Sequence, residues 1–349
     1  MSAWERLSVK LLHLLSVCAL VLIAAGHAGA QDNGQASVFI YHRFGEMKFP
    51  TTSVSIAQLE AHITELKSGR YQVMPLETIV ATMAAAQPLP DHAVAISIDD
   101  GFASTYSEAW PRLRAAGLPF SIFISTDQID EGQPSQMSWD QIREMLAAGG
   151  VSIGHHSAAH QHMPKTSQAV NHADIIKANA RFQTELGFQP TLFAYPYGEF
   201  STRDRNQIAG MGFKAAFGQQ SGVVHSGADR FSLPRFAMNV NYAAKDRFVQ
   251  VANALPLPAL DIVPEDSVLA PGANPPTFGF SVPATLANLD RLNCYASNQD
   301  AALPVHRLGE NRIEVRMTKP FPPGRGRINC TLPDRSGRWR WLGQAFVIP

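Results

Sequence analysis

Charge imbalance is the first thing missing from this chain. Its 29 basic and 29 acidic residues cancel over 349 positions. Binding to nucleic acid or another polyanion calls for a basic excess, so no nucleic-acid partner is expected. Cysteine is scarce, with three in all, at 18, 294 and 330. None stands at a lipoprotein-like cut site after the N-terminal apolar run, so no lipid anchor is expected there. That run, residues 11–25, falls short of the roughly 20 apolar residues a membrane span needs. There is no internal repeat and no low-complexity tract.

The N-terminus has a leader's pattern instead. Arg6 and Lys10 precede the apolar run, and Ala28, Gly29 and Ala30 follow it, so residues 1–30 are expected to be a signal peptide. No stable membrane span is expected after cleavage, and the protein should be periplasmic or secreted. Cys294 and Cys330 would then meet an oxidising compartment, where they form either a disulfide or a pair of buried thiols.

Residues 31–255 alternate short apolar runs with helical patterns. Strands are expected at 37–42, 71–76, 93–98, 120–125, 151–154, 191–196, 214–218 and 233–238. Ser55 with Gln58 and Ser138 with Gln141 read as capping boxes that open helices, and a third helix is expected over 168–185. Alternating strands and helices imply parallel strands with helices outside, here an α/β fold with a distorted (β/α) barrel of about seven strands. Residues 256–275 are proline-rich and read as a linker. Residues 276–349 show strand patterns between turns and read as a small all-β sandwich of the Ig-like kind. In it Arg338, Trp339, Arg340 and Trp341 alternate. The tryptophans would share one side of a strand, as a sugar-stacking face or as core.

In a barrel, chemistry gathers where strands end. The run VAISIDDGF ends in Asp99 and Asp100, which are either a turn or part of a site. After the strand at 151–154 come His156 and His160, four apart, a spacing that would put two imidazoles on one face of a helical turn. With a carboxylate they make a three-ligand metal set that leaves positions open, and His155 and His162 are further candidates. Pro196, Tyr197 and Gly198 make a tight corner whose backbone N–H groups can face an oxyanion.

The sequence of SIDDGF, HSAAH and YPYG resembles the polysaccharide deacetylases of carbohydrate esterase family 4, the NodB-homology domain, and in particular the rearranged branch that includes poly-N-acetylglucosamine deacetylases. The resemblance implies that Asp100, His156 and His160 bind zinc, or another divalent ion such as cobalt, nickel or iron. It implies that Asp99 is the general base and that the Tyr197 N–H faces the oxyanion. Two departures stand out. The family's arginine before the third motif is Ala194 here, so a guanidinium would come from Arg235, unless Arg235 forms a structural salt bridge. No Leu-x-His motif follows residue 240, so the acid would be His42, with His225 in reserve. The implied activity is hydrolysis of N-acetyl groups from an N-acetylated polysaccharide outside the cytoplasm. An O-acetyl esterase and a non-catalytic glycan-binding relative are the alternatives.

Overall fold

The computed structural model describes residues 34–349, so the expected signal peptide lies outside the described residues. Residues 34–349 pack as one compact unit. No helix among the described residues is long and apolar enough to cross a membrane.

The first sheet is built from β1 (Gln35–Tyr41), β2 (Ala93–Asp99), β3 (Phe120–Ile124), β4 (Val151–His155), β5 (Leu192–Ala194), β6 (Ala215–Phe217) and β7 (Val224–His225). These seven strands run in the order β7-β1-β2-β3-β4-β5-β6 and curl into a distorted barrel. From β1 to β6 neighbours are parallel, and β7 is antiparallel to the start of β1. β1, β2 and β3 are buried along their whole length, as strands covered on both faces must be. The seam is closed by a single stretch of chain. Leu233 bridges to Phe217 at the end of β6, and β8 (Phe236–Ala237) pairs with β1. Arg235 lies between these two contacts.

The expected helices begin where their caps predict. Helix α1 (Ile56–Leu66) opens on Ser55, whose hydroxyl accepts from the Gln58 N–H at 3.1 Å while Gln58 accepts from the Ser55 N–H at 2.9 Å. Ser138 and Gln141 cap α3 (Trp139–Ala148) in the same way, and α4 covers Gln168–Leu186. The strand expected at 71–76 shrinks to Gln72–Val73. Pro75, unable to donate to a sheet, marks the start of α2 (Leu76–Ala84) instead.

The C-terminal sandwich has two four-stranded sheets. One orders β9 (Leu255–Pro256), β16 (Trp339–Ile348), β15 (Gly324–Pro333) and β12 (Asn293–Ala296). The other orders β10 (Leu260–Val263), β11 (Thr277–Ser281), β14 (Arg312–Arg316) and β13 (Val305–Leu308). Phe278, Phe280, Ile313, Val315, Ile328 and Phe346 fill the space between them. The expected linker is therefore corrected in part: residues 256 and 260–263 belong to the two sheets, and Leu257 and Leu269 are buried in the sandwich core. Each of β9 and β10 is an edge strand, the one place in a sheet where proline fits, which is why this stretch looks like a tether in sequence.

Cys294 and Cys330 face each other on β12 and β15 and form a disulfide. Cross-linking residues 36 apart contributes roughly 3–4 kcal/mol in the chain-entropy model. The alternating tryptophans sit at the junction with the barrel. Trp341 meets Phe236 edge-on at 5.4 Å and packs against the barrel core. Arg338 pairs with Asp91 at 2.9 Å and donates to the Asn253 carbonyl at 2.7 Å. This segment is a docking seam.

Candidate metal centre and active site

Four strand ends converge at one end of the barrel. At the end of β2, Asp99 is still extended, but Asp100 and Gly101 both have positive φ, 73° and 72°. Two left-handed residues in succession turn the chain sharply, so both carboxylates end up at the same mouth. Aspartate and glycine are the types that tolerate this conformation best.

The two histidines meet Asp100 by a route other than the helical turn expected. Residues 156–160 form a loop, with Ser157 at φ 68° and His160 at φ 52°. The Ser157 hydroxyl accepts from the His160 N–H at 3.0 Å, and Asp174 accepts from the N–H groups of Ala158 and Ala159, which fixes the loop. His156 Nε2 lies 3.4 Å and His160 Nε2 3.2 Å from Asp100 Oδ1, and the three ligand atoms lie within 4.8 Å of one another.

These residues fit a divalent ion. The His156 Nδ1–H donates to the Ala194 carbonyl at 2.7 Å, leaving Nε2 as a lone pair. That Nε2 and Asp100 Oδ1 are buried with no hydrogen-bond partner, two acceptors turned toward each other. A tetrahedral ion with bonds of about 2.0–2.1 Å holds its ligands about 3.3 Å apart, close to the two spacings seen here. Burial opposes charge on His156, but the neighbouring carboxylates of Asp100 and Asp99 outweigh it, and its pKa is raised. Burial also opposes charge on Asp100, yet the two imidazoles hold it well below the usual carboxylate range.

Asp99 is fully buried and gripped by Arg235. The guanidinium donates Nη1–H to Oδ1 at 2.7 Å and Nη2–H to Oδ2 at 2.8 Å, a two-point clamp. Its Nε–H donates to the Gly218 carbonyl at 3.0 Å, and Nη1 also reaches the Ser97 hydroxyl at 3.2 Å. Burial pushes the Asp99 pKa up, but Arg235 and His156 outweigh it, and the carboxylate is held below its ordinary value. Asp99 Oδ2 is 4.0 Å from His156 Nε2, so the acid clamped by arginine borders the metal set. Arg235 reaches Asp99 from the seam that closes the barrel, whereas position 194 is an alanine. Arg235 thus forms the salt bridge that the sequence left as one of two alternatives, and its partner is Asp99.

His42 follows β1 and lines the same cavity as Asp100, His160 and Tyr197, with a volume of about 550 Å³. Burial lowers its pKa, with Asp100 and Asp99 opposing. Tyr197 has φ 60°, and its ring meets His160 at 4.4 Å. The Gly198 and Glu199 N–H groups donate to Tyr195 and Pro196, whereas the Tyr197 N–H is bonded to no described group.

The reserve histidine does not join the site. His225 pairs with Gln35, at the start of β1, while His42 follows its end, about 20 Å away at strand rise. His155 points the other way from His156, among Phe182, Phe193 and Phe213, and burial pushes its pKa down to about 3. His162 is held by Glu199, Nδ1 to Oε2 at 2.6 Å, and stacks on the Tyr197 ring at 3.9 Å. Sequence reasoning missed Arg325, which reaches this cavity from the sandwich, 128 residues from the Tyr197 carbonyl it binds. No local motif signals such a contact.

Residues 86–216 match the family model described as polysaccharide deacetylase. The poly-beta-1,6-N-acetyl-D-glucosamine N-deacetylase of Escherichia coli (strain K12) is 22% identical over 57% of this chain and 35% of its own length. The chain thus spans about a third of that relative. A deacetylase from Streptococcus pyogenes, PplD, solved in complex with acetate, superposes with a TM-score of 0.58 at 17% identity, covering 62% of this chain and 98% of that one. IcaB from Ammonifex degensii superposes with a TM-score of 0.54 at 23% identity, covering 63% and 97%. Residues 86–216 are thus similar to polysaccharide deacetylases, and the barrel shares its fold with these two structures.

Proposed function

We propose that this protein is a metal-dependent N-deacetylase that removes acetyl groups from an N-acetylated polysaccharide outside the cytoplasm and releases acetate. One observation carries the reading: the ligand trio Asp100, His156 and His160 stands beside a separate carboxylate, Asp99, that an arginine clamps in its ionised form. A metal-binding turn alone has no use for the second acid.

An acetamide is a poor electrophile and its amine a poor leaving group. A divalent ion such as zinc, when bound, polarises the acetyl carbonyl and lowers the pKa of water at the site. The chain supplies the rest. Asp99 accepts a proton as water adds to the carbonyl carbon. Its depressed pKa makes it a weak base, always ionised near neutral pH, so it depends on water that is already acidified. The Tyr197 N–H points its dipole at the developing oxyanion. His42, when protonated, donates to the nitrogen as the C–N bond breaks, and acetate and a free amine leave. Thr51, Gln219, Asn239, Asn241 and Tyr242 line the cavity with uncharged polar groups suited to sugar hydroxyls.

The test is acetate release with added zinc, cobalt or nickel from four substrates side by side: poly-β-1,6-N-acetylglucosamine, chitin oligomers, peptidoglycan and O-acetylated xylan. Release from the N-acetylated polymers that stops on chelation supports the reading. Release from xylan alone makes the protein an esterase, and release that chelation leaves untouched sinks the metal role.

A further inference from the structure

The sandwich walls one side of the catalytic cavity, through Arg325, Gly326 and Arg327 of β15 and Ala345, Phe346 and Val347 of β16. One of these side chains crosses to the loop after β5. Arg325 donates its Nη1–H to the Tyr197 carbonyl oxygen at 2.9 Å, and its Nε lies 3.7 Å from Glu199 Oε1. Glu199 is almost wholly buried, and its other oxygen takes His162 Nδ1 at 2.6 Å. The His162 ring lies flat on the Tyr197 ring, with 6° between their planes. The contacts close a circuit: Arg325 to Glu199, Glu199 to His162, His162 to Tyr197, and Tyr197 back to Arg325.

Such a circuit is needed because the loop conformation is unfavourable. Tyr197 is a bulky residue at positive φ, which costs of order 1–3 kcal/mol unless its surroundings enforce it. The loop's own bond from the Gly198 N–H to the Tyr195 carbonyl ties one edge of the Tyr197–Gly198 peptide, and the Glu199 N–H to Pro196 bond ties the next peptide. Arg325 takes the carbonyl of Tyr197 itself. With the second edge of that peptide tied as well, rotation about ψ at Tyr197 is opposed from both sides, which steadies Tyr197 and the N–H it bears.

We infer that Arg325 is a positioning residue, supplied by the C-terminal sandwich, that fixes the Tyr197 peptide for the reaction. The inference rests on the deacetylase reading for its effect on turnover. Arg325 touches no reacting group; it acts through the backbone of Tyr197. A planar guanidinium serves both a carbonyl and a carboxylate at once, which the single ammonium of lysine cannot do from the same place.

The experiment compares Arg325→Ala and Arg325→Lys in the full chain. In Arg325→Ala, kcat on the preferred N-acetylated polymer should fall on the order of tenfold to a hundredfold with KM held within about twofold, since a small misplacement affects the reacting geometry more than binding. Guanidinium ion in the assay should restore part of the lost kcat to Arg325→Ala, and Arg325→Lys should lie between the two. A merely structural role would respond to neither. A kcat unchanged in Arg325→Ala, or a loss carried wholly by KM, overturns the inference. An independent readout separates this from failure of the deacetylase reading. With 15N-tyrosine label, the Tyr197 amide resonance should shift in Arg325→Ala whether or not any substrate turns over. An unshifted Tyr197 amide overturns the inference, while a shifted amide in a protein that releases no acetate keeps the clamp and removes only its catalytic consequence.

Discussion

Asp99 and Asp100 are neighbours with opposite partners. Asp100 faces the imidazoles of His156 and His160, and Asp99 faces the guanidinium of Arg235. The residues themselves were legible because each motif is a short local run, Asp99–Asp100 in one and His156 to His160 in the other. Arg235 was legible only by its place at a late strand end, since nothing local ties it to a carboxylate 136 residues away. The pairing has a consequence for mutagenesis. In Asp99→Asn the buried Arg235 loses its counter-charge, so turnover should fall about 100- to 10,000-fold and stability by about 3–5 kcal/mol. Metal uptake should survive. In Asp100→Ala the reverse holds: cobalt should give no tetrahedral absorption band, while thermal stability changes less than in Asp99→Asn. A stable Asp99→Asn protein with full activity would contradict both the pairing and the role. The pH sign follows from the same contact. A carboxylate whose folded pKa is depressed stabilises the fold above its unfolded pKa, and this contribution is lost as pH falls through the folded value. Replacing Arg235 by methionine leaves burial, which raises the pKa, with less opposition. The acid-unfolding midpoint, followed by circular dichroism, should therefore move to higher pH in Arg235→Met.

At the scale of elements, long apolar runs were legible and short pairings were not. β1, β2 and β3 stand where uninterrupted apolar residues placed them, because both faces of a barrel strand are buried. Two-residue strands such as β7 and β8 have no periodicity to read, yet β8 helps to close the barrel and holds Arg235 in place. The turn after β5 shows what local sequence can and cannot say. Proline and glycine announced a tight corner at 196–198, but not that Tyr197 would take a left-handed conformation or that Gly198 would lie against its neighbour. Gly198 has φ 70°, and a Cβ there would come within 2.5 Å of the Gln219 Cβ and 2.7 Å of the Gln219 backbone nitrogen. Gly198→Ala should therefore displace the corner and turn the Tyr197 N–H away. Loss of one oxyanion donor costs about 100- to 1,000-fold in kcat, so kcat should drop by up to that range with KM little changed. Steady-state kinetics that show a normal kcat in Gly198→Ala would remove Tyr197 from the oxyanion site.

The whole molecule turns on how the sandwich meets the barrel. The proline-rich stretch that reads as a tether is stitched into both sandwich sheets. β16 carries Trp341 against Phe236, the residue next to Arg235 on the seam. One glycine sets the approach. A Cβ at Gly343 of β16 would run into the Ser221 carbonyl oxygen and lie 2.8 Å from the Ser221 nitrogen, and both are backbone atoms that cannot swing aside as a side chain does. Gly343→Ala must therefore lift β16 from the chain that follows β6. The sandwich keeps its own core and its disulfide, so it should stay folded while its contact with the barrel loosens. Two effects should appear together. Thermal unfolding should broaden or split relative to the parent as the two halves lose their coupling, and limited proteolysis should open sites near residues 253–257. Turnover should also fall, because Arg325 rides on β15, which is paired with β16 along its length, and its bond to the Tyr197 carbonyl would lengthen with the displacement. If Gly343→Ala unfolded as one sharp transition at the parent temperature with parental kcat, the sandwich would be a passenger, and the arrangement of the barrel mouth would owe nothing to it.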